Sequence, residues 1–216
     1  MPAPKKFSRD QLASAALELA DEKGLDALSM RALAARLGTG PMTLYNYVDG
    51  RDGLESLVIE AVVRHAAYPR PAADWREEVR TLAESYWTTI RRHPQVVPLI
   101  VARRTTDEPT LEFGERMLEA LARSGRSGRE LLVAFRLVVG FIIGFAQGEA
   151  GARALSPAGG SADEVIERGR TLPVERYPRV VEIATASAQG DRAEEFRAGL
   201  DLLVAGLSAG TRPAFA

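Results

Sequence analysis

The residues best equipped for chemistry lie in one short stretch, Pro41-Met42-Thr43-Leu44-Tyr45-Asn46-Tyr47-Val48. Two tyrosines and a threonine on so short a segment are poor core material, yet their hydroxyls can donate to phosphate oxygens. The Thr43 methyl suits the methyl group of thymine. No comparable cluster offers catalysis. The only histidines, His65 and His93, fall in no recognisable triad, metal-ligand spacing or phosphate-binding loop. The absence of cysteine excludes disulfides and thiolate metal sites. Neither an enzyme nor a bound cofactor is expected.

Local signals show which elements must hold that stretch. Ser8 and Gln11 have capping-box spacing, Phe7 and Leu12 flank the cap as a hydrophobic staple, and Gly24 offers a stop, which predicts a first helix. Ser29 caps a short second helix, stapled by Leu28 and Leu33 and ended at Gly38. Pro41, with its fixed φ and no amide proton, suits the first position of a third helix running to about Tyr47. Two short helices around a tight turn, following a longer one, form a helix-turn-helix whose last member enters the major groove. Lys5, Lys6, Arg9, Arg31, Arg36 and Arg51 add positive charge, which nearby acids almost cancel. On pattern alone, the same residues also fit an ordinary solvated bundle in which Tyr45 is a core aromatic.

After Asp49-Gly50, apolar residues from Leu54 to Val62 recur at helical spacing until Pro69-Arg-Pro71, which divides the chain into domains at 1–68 and 69–216. Asp74 caps a helix bearing Trp75, Val79, Leu82, Tyr86 and Ile90, and a short helix follows Pro94. Further helices are expected over 111–124, 131–149, 175–188 and 193–207, with 152–161 a flexible loop. No period-two strand or internal repeat is found, so the fold class is all-α.

Composition sets limits. The 216 residues carry 46% hydrophobic and 26% charged side chains with a formal net charge of −1, an ordinary soluble balance without a global nucleic-acid signature. The most apolar run, 131–146, falls short of the roughly 20 residues that span a bilayer and contains Arg136. No membrane partner is expected. The first residues lack the apolar core of a secretory signal, so the expected compartment is the cytoplasm. Gly140, Gly144 and Gly148 recur every fourth residue, as for close helix approach either within one subunit or between two.

The chain resembles the tetracycline-repressor family through Ala15-Ala-Leu-Glu-Leu-Ala20, Gly24-Leu25, Leu28-Ser-Met-Arg-Ala-Leu-Ala-Ala-Arg-Leu-Gly38 and Thr43-Leu-Tyr-Asn-Tyr-Val48. The resemblance implies base or phosphate contact by Arg31, Met42 and Thr43, and phosphate contact by Tyr45, Tyr47 and Arg51. Pro41 replaces a base-reading glutamine of the family, implying a different operator. A weaker likeness to the family's ligand domain runs through the Trp75 helix, His93, Arg103-Arg104-Thr105 and residues 196–207. It implies a homodimer built on two helices per subunit, for which 131–149 and 193–207 are the apolar candidates.

From this follows a regulator, by family habit a repressor, that leaves a palindromic operator when a small effector binds. An activator and a non-sequence-specific DNA-binding protein are the alternatives. Where the tetracycline repressor has drug- and metal-binding histidines, this chain has Ala66 and Ile100, and its polar amides are replaced by Leu82 and Met117. An aromatic is kept at Tyr86 and an acid at Glu149, but one carboxylate cannot rebuild a magnesium site. Trp87, Phe113, Phe141 and Phe145 lie on the surrounding helices. The expected contacts of a mainly apolar or aromatic effector are Leu82, Tyr86, Ile100, Met117, Phe141 and Phe145.

Overall fold

The computed structural model describes residues 6–66, 68, 70–102, 107–154 and 162–209, with the side chains of 151–154, 162 and 163 excepted. The described residues contain helices and no strand. Lys5, Pro69, the 103–105 segment and residues 155–161 lie outside that description.

The N-terminal unit follows its local signals closely. Helix α1 (Arg9–Lys23) begins at Ser8, whose hydroxyl accepts from the Gln11 amide at 3.1 Å while Gln11 Oε1 accepts from the Ser8 amide at 2.9 Å. Gly24, at φ 79°, ends it. Ser29 caps α2 (Met30–Arg36), and Pro41 opens α3 (Pro41–Leu44). Helix α3 is shorter than expected. Its continuation tightens into a turn in which both the Tyr47 and Val48 amides donate to the Leu44 carbonyl.

Helix α4 (Gly50–Arg64) packs on α1 at one side and on α5, α6 and α7 at the other. Leu54, Leu57, Val58, Ile59, Ala61, Val62 and Val63 are all buried, the pattern of a helix covered on every side. Helices α5 (Trp75–Ile90), α6 (Val97–Ala102), α7 (Glu108–Ala122), α8 (Gly128–Ala154), α9 (Ala162–Arg170), α10 (Pro178–Gln189) and α11 (Arg192–Ser208) complete the chain. Residues 162–170 were not expected to be helical. Val165 and Ile166 are their only large apolar side chains, too few to show a period, and α9 is held instead by packing on α10. Of the expected loop at 152–161, residues 152–154 are helical, since α8 continues to Ala154, and the rest lies outside the described residues.

At the centre of the C-terminal half, Trp87 stacks on Phe196 with ring centroids 4.2 Å apart, and Phe145 meets both rings edge-on. The Cβ that any larger residue would carry at Gly199 comes within 2.7 Å of the Phe141 ring, so glycine permits α11 to lie against α8. Buried carboxylates are matched by arginine: Glu60 by Arg9 and Arg64, Glu55 by Arg51, Glu78 by Arg116 and Arg123, and Glu149 by Arg91. These pairings offset the desolvation that a lone buried charge would suffer. Arg126 donates to the Leu207 carbonyl at 2.7 Å, closing the end of α11 against the α7–α8 turn.

Helix α8 corrects the expected length of the apolar run. The stretch Gly128–Ala150 is long and apolar enough to cross a bilayer by length and composition. Here α8 instead packs on α5, α7 and α11 along one side. Its other side leaves Val133 and Leu137 exposed, and Leu202 on α11 is 76% exposed.

Candidate functional site

Two sites emerge, one on the N-terminal unit and one between α4 and α8. Around α3, Leu28, Leu33, Leu44 and Val48 are buried, which turns the opposite surface outward. Met42 and Tyr45 are exposed to 77% and 53%, and Asn46 is also exposed. Thr43 is half-buried. Tyr45 is therefore not the core aromatic that pattern alone allowed. Arg31 is exposed on α2 beside this surface, and among the described residues no acid pairs with it. Much of the remaining positive charge is committed: Arg36 holds Glu18 and Glu22, and Arg64 holds Asp10 and Glu60. The surface around α3 thus presents hydroxyl, amide and thioether groups with little competing positive charge.

Tyr47 and Arg51 have other occupations. The Tyr47 hydroxyl accepts from the Phe7 amide at 3.3 Å, and the two rings meet edge-on with centroids 6.3 Å apart. Tyr47 thereby fastens the chain ahead of α1 to the end of the α3 turn. The Arg51 guanidinium donates to the Leu28 carbonyl at 2.7 Å and the Leu25 carbonyl at 2.9 Å, and pairs with Glu55. It ties the α1–α2 connection to α4, sharing the Leu25 carbonyl with the Leu28 amide of the short 3-10 turn there. Arg51→Ala is expected to lower stability by about 1–2 kcal/mol, allowing for partial exposure, in thermal denaturation. It should leave the salt dependence of DNA binding unchanged; loss of about one phosphate contact from that dependence would restore Arg51 to the interface.

The second site is a cavity of about 580 Å³ walled by α4, α5, α6, α7 and α8. Tyr86 and Phe113 stack in one wall with centroids 4.3 Å apart, and Tyr68 stacks behind Phe113 at 5.7 Å. Burial, with the nearby Asp107 carboxylate, holds the Tyr86 phenol well above its ordinary pKa, so it is a neutral hydroxyl. Ile100, Val139 and Ile143 add apolar surface, Thr110 and Gln147 add polar groups, and Ile59 reaches in from α4.

Of the expected effector contacts, Tyr86 and Ile100 line the cavity. Leu82, Met117, Phe141 and Phe145 do not. Leu82 and Met117, at 1% and 0% exposure, are sealed in the core, where full burial removes their apolar surface from water. Phe141 and Phe145 turn to the other side of α8 and join Trp87 and Phe196. Glu149 is likewise engaged elsewhere: it accepts from Trp87 Nε1 at 2.9 Å and pairs at 3.0 Å with Arg91, which lies over the Trp87 ring. Gly140 and Gly144 border the cavity, and a Cβ at either would meet nothing of this chain within 4 Å. Close packing within one subunit is thus not their role. Gly144 and Gln147 follow Gly140 and Ile143 at four-residue spacing, a signal in the sequence that could have located this wall.

The family model described as "Tetracyclin repressor-like, C-terminal domain" matches residues 68–211, and the one described as "Bacterial regulatory proteins, tetR family" matches residues 12–55. The HTH-type transcriptional repressor DrrR1 of Streptomyces coeruleorubidus is 29% identical over 206 residues, 92% of this chain and 76% of that protein. The class D tetracycline repressor protein of Escherichia coli is 32% identical over 142 residues, 64% of this chain and 65% of that one. ActR of Streptomyces coelicolor, crystallised with (S)-DNPA, superposes with a TM-score of 0.80 at 27% identity, covering 95% of this chain and 98% of its own. Its complex with actinorhodin gives 0.78 at 29% identity, covering 96% and 100%.

Proposed function

The chain belongs to the tetracycline-repressor family, and from that premise we propose how its two sites divide the work of a ligand-responsive DNA-binding repressor. Its partners are operator DNA, a small molecule and a second copy of itself. Met42, Thr43 and Tyr45, with Arg31 beside them, meet bases and phosphates, while Tyr47 and Arg51 hold the unit in shape. Residues 1–68 carry the DNA-binding domain and 69–216 the sensor and dimer domain. The protein works in the cytoplasm and catalyses no reaction.

The dimer is built on the exposed faces of α8 and α11, where Val133, Leu137 and Leu202 gain cover from the second subunit and Gly148, outside the cavity, admits its close approach. Two-fold pairing then meets a palindromic operator whose half-sites lie about 34–36 Å apart in successive major grooves. The effector occupies the cavity behind Tyr86 and Phe113 and is aromatic, in keeping with the ActR complex with actinorhodin. A magnesium–tetracycline chelate is a poor match to Ala66 and Ile100.

The observation carrying this reading is Ile59. It belongs to α4, next to the DNA-binding helices, yet its side chain forms part of the cavity wall. An effector that favours a displaced α4 therefore favours a spacing of the α3 helices that no longer fits the operator, through differential affinity for the two states.

The wild-type dimer should bind palindromic duplexes from its own upstream region in a salt-sensitive manner, and Tyr45→Ala should weaken that binding about tenfold in fluorescence anisotropy. Equal affinity for random and upstream duplexes at physiological salt would remove the basis for operator recognition.

A further inference from the structure

The cavity carries one charge among its described lining residues, and that charge is positive. Arg136 stands on α8 one turn from both Leu132 and Gly140, on the cavity-lining face. Its neighbours in the wall are aliphatic, aromatic, glycine, or neutral polar groups. Among the described residues no carboxylate pairs with Arg136, in contrast to Arg91, Arg116 and Arg123, which are held by Glu149 and Glu78. Asp107, whose charge reaches Tyr86, is turned into the cap of α7, accepting from the Thr110 amide and hydroxyl at 3.0 Å each.

A guanidinium without an acidic partner at the rim of an apolar cavity selects by charge as well as shape. A neutral guest leaves it to water, and a cationic guest is repelled. A planar guest ending in a carboxylate gains a forked, charge-assisted pair of hydrogen bonds while its rings rest on Tyr86 and Phe113. Gln147 supplies an amide for a ring oxygen at a position away from the charge. We propose that the effector is an aromatic acid, a multi-ring compound whose single anionic oxygen group is bound by Arg136. This rests on the assignment of the cavity as the effector site and narrows it to a chemical class. A volume of about 580 Å³ accommodates a three-ring skeleton with substituents.

Anthraquinone-2-carboxylic acid and anthraquinone-2-carboxamide differ chiefly in that charge and serve as the paired probes. Calorimetry on the full-length dimer at neutral pH should give the acid about tenfold or greater preference over the amide. Raising salt should weaken the acid and spare the amide. Arg136→Met should reduce the preference to about one by loss of acid affinity, and Arg136→Lys should recover part of it. Equal affinities for the two probes in the wild type, or an undiminished preference in Arg136→Met, would overturn the charge assignment while leaving the cavity in place. The salt comparison, made on the wild type, decides the matter even if the variants fold poorly. Binding of neither probe, or binding of both unchanged by the cavity-filling Ile143→Trp, would instead remove the cavity as the aromatic site and this inference with it.

Discussion

Leu137→Glu combined with Leu202→Glu should yield a folded monomer whose operator affinity is about 10²–10⁴-fold below that of wild type. Leu202 is 76% and Leu137 45% exposed in the single subunit, so glutamate there disturbs little of the subunit's own packing. Across a two-fold axis each substitution appears twice, placing four carboxylates in or near an apolar contact where each would be desolvated without a partner. The loss in DNA binding follows from geometry: a dimer that has engaged one half-site presents its second α3 at high effective concentration to the other, and a monomer forfeits that gain. Light scattering should report the halved mass, circular dichroism the retained helix, and anisotropy the weakened binding. An intact dimer carrying both glutamates would place the subunit contact on other helices.

Trp87→Ala should be the most destabilising single substitution in the C-terminal half, by about 3–5 kcal/mol. The indole is 1% exposed and stacked on Phe196, so truncation leaves a void that surrounding helices can close only in part. Two further losses add to it. Glu149 forfeits its Nε1 donor at 2.9 Å, and Arg91 forfeits the ring beneath its guanidinium. Against a total stability of about 5–15 kcal/mol this is a large share. Urea denaturation at one fixed protein concentration, needed because dimerisation contributes to stability, should show the midpoint fall sharply. Trp87→Phe, which keeps the stacking and loses the Nε1 donor, should recover about half. A midpoint near wild type for the alanine variant would mean that the aromatic cluster is not the core it resembles.

These outcomes depend on features that differed in how plainly the sequence displayed them. The caps at Ser8 and Ser29 and the opening proline of α3 are consequences of neighbours within one or two turns, and the sequence displays such relations directly, whereas pattern alone left the exposure of Tyr45 open. The faces of α8 are another matter. That helix is apolar nearly all round, so its periodicity cannot say which residues face α5 and α11, which face the cavity and which face a second subunit. Phe141 and Phe145 looked like effector contacts because aromatics line many pockets, yet Gly199 makes room for Phe141 on the other side. Arg136 looked like a mere interruption in an apolar run and instead lines the cavity. Leu82 and Met117, expected at the effector from the resemblance, are instead sealed in the core. Tyr47 and Arg51 show the same limit, since their partners Phe7, Leu25 and Leu28 are distant in sequence.

The burial of α4 on both sides bears on inheritance. Val62, Val63 and Ala66 are covered, and Ile59 touches both the core and the cavity, so the packing continues across the boundary proposed at residue 68. A DNA-reading head cut there and fused to a foreign sensor would carry an apolar flank shaped for this α6 and α7, and the recipient would have to match it. Lineages of such proteins can therefore change α3, or the cavity wall contributed by α8, one residue at a time, whereas the back of α4 can change only together with the helices it rests on. New operator and effector preferences would arise by local drift far more readily than by exchange of halves.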